Sequence, residues 1–292
     1  MIISASRRTD IPAFHSEWFF NRIIEGYVIT KNPMNAKQMK KVSLHKEDVD
    51  CIVFWTKNPQ PMLSGLEALL GYNYYFHYTL TGYSSEIERN LPALSERLKT
   101  LKELSAKIGA DKIIWRYDPI ILTDQIDVDF HVAHFEKMAK EIQPYVSKCI
   151  ISFLDAYPSN QKRLEMHNIF VLSDQDIVKL SQKFTKIAYD NNLIIETCSE
   201  GYALETYGIC HGKCIDAKYI SSVFDIEISP VKDKNQRENC GCNKSIDIGA
   251  YSTCKHDCVY CYATHKTSNI HKCMPYSPIL CGQVPDEIIE SL

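Results

Sequence analysis

No apolar run in this chain is longer than a strand, so nothing in it reads as a transmembrane span and no membrane partner is expected. There is no basic excess: the 292 residues carry a net charge of −3 and a pI near 6.4. Bulk attraction to nucleic acid or anionic membrane is therefore not the default reading. The amino terminus, MIISASRRTDIP, lacks the apolar length and the basic-then-apolar order of a signal peptide, and a cytoplasmic location is expected. Internal repeats and low-complexity linkers are absent. Cysteine is scarce through residue 197: only Cys51 and Cys149 occur, each inside an apolar run where it serves as a small buried hydrophobe.

The remaining ten of the twelve cysteines fall between Cys198 and Cys281. A reducing cytoplasm does not favour a disulfide framework, so this crowding points to metal chemistry. It also divides the chain into a cysteine-poor scaffold, 1–197, and a cysteine-rich segment, 198–292.

Six short apolar runs punctuate the scaffold: residues 1–6, 51–56, 74–81, 112–118, 148–155 and 193–198. Their near-continuous apolar character fits parallel strands covered on both faces. Helical stripes lie between them. The clearest spans Ser85 to Ile108, with Leu91, Leu94, Leu98, Leu101 and Leu104 at three- and four-residue spacing. Val132, Phe135, Ala139 and Ile142 mark a second, and Ser173 with Asp176 forms a capping pattern ahead of a third. Helices near 13–25 and 60–70 are expected on weaker patterns, and 230–247 reads as a polar loop. Strand–helix alternation implies an α/β fold with right-handed crossovers. Six units are too few for a closed eight-stranded barrel. The expected fold is a partial (β/α)6 TIM-like barrel, with a doubly wound sheet as the alternative.

Ligands of parallel α/β folds collect at the carboxyl ends of the strands. Here those ends carry Arg7, Arg8 and Asp10, then Lys57, then His77 and Thr79, then Arg116 and Asp118, then Ser152 and Asp155, and finally Glu196. Asp10, Asn58 and Asp155 also suit helix caps or turns. Arg7, Arg8, Lys57 and Arg116 can clamp a carboxylate or phosphate through charge-assisted hydrogen bonds. The expected ligand is a small, anionic molecule, with Arg7, Arg8, Asp10, Lys57 and Asp118 as its binding set.

Cys254, Cys258 and Cys261 place three thiols within eight residues. Structural zinc usually takes four ligands in paired C-x-x-C knuckles. A short loop with three- and two-residue gaps can instead wrap three corners of a 4Fe-4S cube, leaving one iron open for catalysis. This C-x-x-x-C-x-aromatic-C pattern, with Tyr260 as the aromatic, resembles the signature of radical S-adenosylmethionine enzymes. AYSTCKHDCVYCYA is similar to the spore photoproduct lyase-like branch, as is the stretch from Thr79 to Leu122 with Glu88, Pro92, Arg97 and Arg116-Tyr-Asp-Pro119. The whole chain resembles an uncharacterised bacterial family with a carboxyl-terminal cluster like the amino-terminal one of the radical enzymes. Members of that superfamily normally carry the cysteine loop after the first strand, which here ends in Ser6-Arg7-Arg8-Thr9-Asp10. The tail is therefore expected to fold back over the barrel mouth and supply the loop.

The resemblance implies an enzyme with a 4Fe-4S cluster and S-adenosyl-L-methionine as cofactors. Reductive cleavage of the latter yields a 5′-deoxyadenosyl radical, which abstracts hydrogen from a substrate. It further implies Tyr260 near the adenine, Thr79, Arg97 and Arg116 at the methionine and ribose ends, and an electron donor such as flavodoxin or ferredoxin. The lyase-like branch raises nucleic acid as a partner, against which the acidic balance and the lack of a basic stripe both weigh. A non-catalytic zinc or iron–sulfur protein is the competing reading.

Of the other cysteines, Cys198, Cys214, Cys240 and Cys242 are assigned to a second cluster or a structural zinc, with Cys210 in reserve. Cys273 and Cys281 receive no role. His211, His256, His265 and His271 read as surface histidines, His211 being a further zinc candidate.

Overall fold

The computed structural model describes residues 1–264 and 273–285. In chain order its elements are β1 (Ile2–Ala5), α1 (Ile11–Phe14), α2 (Ser16–Glu25), β2 (Tyr27–Asn32), β3 (Asn35–Ser43), β4 (Cys51–Thr56) and β5 (Tyr74–Thr79). There follow α3 (Leu94–Ile108), β6 (Ile113–Ile120), α4 (Val128–Ile142), β7 (Lys148–Phe153), α5 (Gln161–Met166) and α6 (Asp174–Asp190). The last are β8 (Ile195–Cys198), β9 (Cys210–Gly212), α7 (Ala217–Phe224) and β10 (Ile246–Asp247). Among the described residues no helix is long and apolar enough to cross a membrane.

All six apolar runs form strands, and β9 and β10 extend the sheet to eight in the order β10-β1-β4-β5-β6-β7-β8-β9. Strand order from β1 to β9 follows chain order without turning back. A doubly wound sheet reverses at a switch point, so that alternative does not describe this topology. The registers β1–β4, β6–β7, β7–β8 and β8–β9 are parallel. Every residue of β7 is buried, as a strand covered on both faces requires. The antiparallel ribbon β2–β3, with Tyr27 opposite Ser43, stands outside this sheet and was not foreseen.

Two helical expectations are corrected. The stripe from Ser85 becomes helix only at Leu94, because Pro92 keeps the preceding residue out of helical conformation and Ala93 is extended (φ −52°, ψ 147°). The segment 60–69 is 3-10 helix, with Met62, Leu63, Leu66 and Leu69 buried. By contrast, Ser173 and Asp176 form the expected reciprocal capping box on α6.

The chain divides into two compact units: Met1–Phe76 with Ser245–Asp257 and Ala263–Leu292, and His77–Lys244 with Cys258–Tyr262. In the first, Phe54 stacks on Phe76 (4.7 Å between ring centres) and takes the edge of Phe19 (5.2 Å). In the second, Phe135 stacks between Trp115 (4.9 Å) and Phe184 (4.1 Å).

His131 lies inside the second core, accepting from the Tyr117 hydroxyl at Nδ1 (2.9 Å) and donating from Nε2 to the Ile121 carbonyl (2.7 Å). Burial, with smaller help from His134, pushes its pKa down from 6.5 to about 4. The unfolded chain thus binds a proton that the folded chain refuses between those values. The stability that His131 confers is full above its unfolded pKa and drains as pH falls toward 4, by about 3 kcal/mol in all. Urea midpoints should fall further between about pH 7.5 and about pH 5 in the wild type than in His131→Gln. Equal falls would remove His131 as the source.

Candidate functional site

In the first unit the end of β1 is built around a carboxylate that sequence reasoning missed. Asp247 accepts from the hydroxyls of Ser4 (2.8 Å) and Ser6 (2.6 Å) and from the backbone N–H of Arg7 (3.0 Å) and Gly249 (3.0 Å). It reaches this position because β10 pairs with β1, Ser4 opposite Asp247. Two residues of strand inside a polar stretch give no periodic signal, which is why 230–247 reads as loop throughout. Gly249 is required where the returning chain crosses Ser6, since any side chain there would overlap the serine hydroxyl.

Asp10 is spent on the protein itself. One oxygen caps α1 through the Ala13 N–H (2.9 Å), and the other accepts from the Lys57 N–H (2.7 Å) and His256 Nε2 (2.7 Å). His256 is 3% exposed, so its surface reading is corrected: a histidine becomes a core residue when a buried carboxylate receives it. The Arg7 guanidinium lies over Trp55 (5.1 Å) and that of Arg8 over Tyr251 (5.4 Å), both cation–π contacts. Arg8 Nε also stands 3.9 Å from Asp247. Cys254 belongs to this unit and is half-buried. Cys273 and Cys281, given no role above, form a disulfide.

In the second unit the short peptide Cys258–Tyr262 lies over strand ends. Cys258 makes an antiparallel bridge with Glu88, and the Val259 N–H donates to the Ile87 carbonyl (2.9 Å). Cys258, Val259 and Tyr260 share an apolar cluster with Tyr83, Ile121 and Leu154, residues that follow the carboxyl ends of β5, β6 and β7. Asn160 donates to the Tyr260 carbonyl (2.9 Å), and Arg163 to that of Cys261.

Beneath the peptide lies a buried network. Glu88 Oε1 accepts from the Thr81 hydroxyl (2.7 Å) and from the Tyr260 hydroxyl. Arg97 Nη1 stands 3.6 Å from Glu88 Oε2, and Arg97 Nη2 donates to the Thr81 carbonyl (3.4 Å). Burial first, and the Glu88 carboxylate second, hold the Tyr260 phenol well above its ordinary range. Glu88 was noted only as part of a resemblance; its partners make it the centre of this region. Thr79, at the end of β5, is buried.

A second polar group follows β6 to β8. Asp118 receives Arg116 Nε (2.9 Å) and Nη2 (2.7 Å) through one oxygen and the Ser152 hydroxyl through the other. Arg116 Nη1 donates to Cys214 Sγ (2.8 Å), which lies 3.0 Å from Cys198 Sγ. Cys240 and Cys242 are buried, whereas Cys210 is exposed on β9. Burial pushes the Glu200 carboxyl up to about 8, against the Phe153 N–H that donates to it. His211 is an exposed partner of Glu205 (3.3 Å). His265 and His271 lie outside the described residues. Among the described residues no three or more His, Cys, Asp or Glu side chains stand ready-made around a metal position.

Fold and site together define a mixed α/β protein with a large parallel sheet, whose strand ends carry buried ion pairs and cysteines. The chain matches the family described as Domain of unknown function (DUF1848) over residues 2–263, and it belongs to that family. No curated protein and no solved structure matches it.

Proposed function

We propose that this chain is a radical S-adenosylmethionine enzyme whose 4Fe-4S cluster is held by Cys254, Cys258 and Cys261, on a partial (β/α)6 barrel. The observation that carries the reading is the seat of Cys258–Tyr262 beyond the carboxyl ends of β5, β6 and β7, where such folds bind ligands. The donor set fits the group: three soft thiol ligands with short gaps, and no fourth cysteine in the loop. When bound, the cluster supplies the electron that cleaves S-adenosylmethionine to methionine and a 5′-deoxyadenosyl radical.

The chain's own residues position and shield. Tyr260 gives its hydroxyl to Glu88, Arg97 pairs with Glu88 through Nη1 and donates from Nη2 to the Thr81 carbonyl, and Arg116 donates to Asp118 and Cys214. Arg116 therefore shapes the site from behind, while Thr79, Arg97 with its buried Nε lacking a hydrogen-bond partner among the described residues, and the Tyr260 ring are left for the cofactor. Arg7, Arg8 and Lys57 favour an anionic small-molecule substrate. A flavodoxin- or ferredoxin-class protein is the electron donor of the reading.

Anaerobic purification with iron and sulfide reconstitution tests it. A brown protein that forms 5′-deoxyadenosine when reduced in the presence of S-adenosylmethionine is the expected result. A colourless protein with stoichiometric zinc and no product would sink the reading in favour of a non-catalytic zinc protein. A brown protein without product would leave a non-catalytic iron–sulfur protein instead.

A further inference from the structure

Three segments of the second unit carry cysteines outside the peptide just described, and contacts join three of them. Cys198 closes β8, Cys214 follows β9, and Cys240 and Cys242 come from the stretch after α7. Cys214 is the middle of the group: its sulfur lies 3.0 Å from that of Cys198 and is hydrogen-bonded to Cys242 as well. Cys214, Cys240 and Cys242 are 4%, 7% and 2% exposed. Their backbones are fixed by groups that have no need to hold a loose thiol. His77 Nε2 donates to the Cys214 carbonyl (2.7 Å), the Asp233 N–H to the Cys242 carbonyl (2.9 Å), and the Cys240 N–H to the Arg237 carbonyl (2.9 Å).

We propose that Cys198, Cys214 and Cys242, with Cys240 as fourth donor, form a thiolate site for a single zinc ion. A thiol is a weak donor and a weak acceptor, so packing several against one another gains little as neutral groups. As thiolates they repel unless a cation lies among them. Arg116 supplies one positive charge at 2.8 Å from Cys214, directed there because Asp118 occupies its Nε and Nη2. One charge does not balance three or four thiolates; a divalent, thiophilic ion does, each thiol giving its proton to solvent on binding.

A disulfide is the obvious rival, but it joins two sulfurs, and the middle thiol here has partners on both sides. A 4Fe-4S cube is the other, yet it ties each cysteine to a different iron and spreads the sulfurs far apart. Zinc–sulfur bonds of about 2.3 Å in a tetrahedron set neighbouring sulfurs about 3.8 Å apart. The sulfurs of Cys198 and Cys214 need to separate by less than about 1 Å from their present 3.0 Å to accept the ion.

The test uses the full chain carrying Cys254→Ala, Cys258→Ala and Cys261→Ala, so that loop thiols take no part. Purified reduced and metal-free, it is titrated with Co(II), whose thiolate charge-transfer and tetrahedral absorption report sulfur ligation. The expected result is one equivalent bound and displaced by zinc. Affinity should drop at least about tenfold with Cys214→Ser, the size of loss seen even for outer-shell changes, and stay unchanged with Cys210→Ala. If Cys214→Ser does not fold, Cys242→Ser at the end of the contact chain serves in its place. No cobalt spectrum from the folded, reduced chain overturns the site, as does uptake of iron with sulfide in place of cobalt. Mass spectrometry showing a Cys198–Cys214 disulfide in a chain that binds no cobalt identifies a redox pair instead. Because the parent variant lacks the loop cysteines, failure here leaves 5′-deoxyadenosine formation by the native loop untouched.

Discussion

Cys258→Ala is expected to reduce 5′-deoxyadenosine formation by more than about 1,000-fold, equivalent to about 4 kcal/mol in the barrier. The variant isolates the ligand role well. Cys258 is 6% exposed, and its bridge to Glu88 is made by backbone atoms, so alanine keeps the pairing and the local packing. What it removes is the sulfur. A loop with two thiols cannot occupy three corners of a cluster, and iron content should fall with the product. Cys210→Ala, on an exposed cysteine of β9, is the matched control and should behave as wild type. Wild-type product from Cys258→Ala would take this residue out of the ligand set. Iron bound by the zinc-class site or elsewhere would not rescue turnover, so product, rather than total metal, is the deciding readout.

The six main strands were legible because each is an unbroken apolar run, and burial on both faces of a parallel sheet selects for that pattern. β9 and β10 were not. Cys210–Gly212 and Ile246–Asp247 are too short to show any period, and they join the sheet because neighbouring edges accept them. The Ser85–Ile108 stripe misled for a different reason. Leu91 continues the spacing of the true helix, but Pro92 overrides periodicity by excluding helical backbone before it. The segment thus freed is the one that supplies Ile87 and Glu88 to the tail peptide.

The site was legible as residue types and not as partnerships. Arg116 and Asp118 could be named from their place after an apolar run, but nothing in the sequence says that they pair with each other and that Arg116 turns to Cys214. Asp10 reads equally as cap and as ligand group, and only the approach of Lys57 N–H and His256 decides for the first. Asp247 and His256 come from the tail, more than two hundred residues from Ser4 and Asp10, which they bind. Side-chain contacts at that separation leave no local pattern, and a single sequence cannot reveal them.

Glu88→Ala should cost about 3–5 kcal/mol of stability, the size expected when one member of a buried ion pair is removed. The substitution leaves Arg97, 2% exposed, as a buried cation without its counter-charge, and strips the acceptor from the hydroxyls of Thr81 and Tyr260. Against a total of about 5–15 kcal/mol for a folded domain, that is a large share. Arg97→Met alone should cost a similar amount, because it strands the carboxylate instead. The double change Glu88→Met with Arg97→Met should recover most of the loss, since an apolar pair of similar volume needs no desolvated charge; urea denaturation of wild type, Glu88→Met, Arg97→Met and the double variant gives the coupling directly. The network has a second consequence that a plain core ion pair would lack. Glu88 also receives the Tyr260 hydroxyl beside the backbone-bridged Cys258, so loss of its carboxylate should raise hydrogen exchange at the Val259 N–H and lower 5′-deoxyadenosine formation at temperatures where the chain remains folded. Reduced stability with unchanged Val259 protection and unchanged product would make Glu88 a packing residue only. Loss of all three would make it the anchor that holds the cysteine peptide to the strand ends.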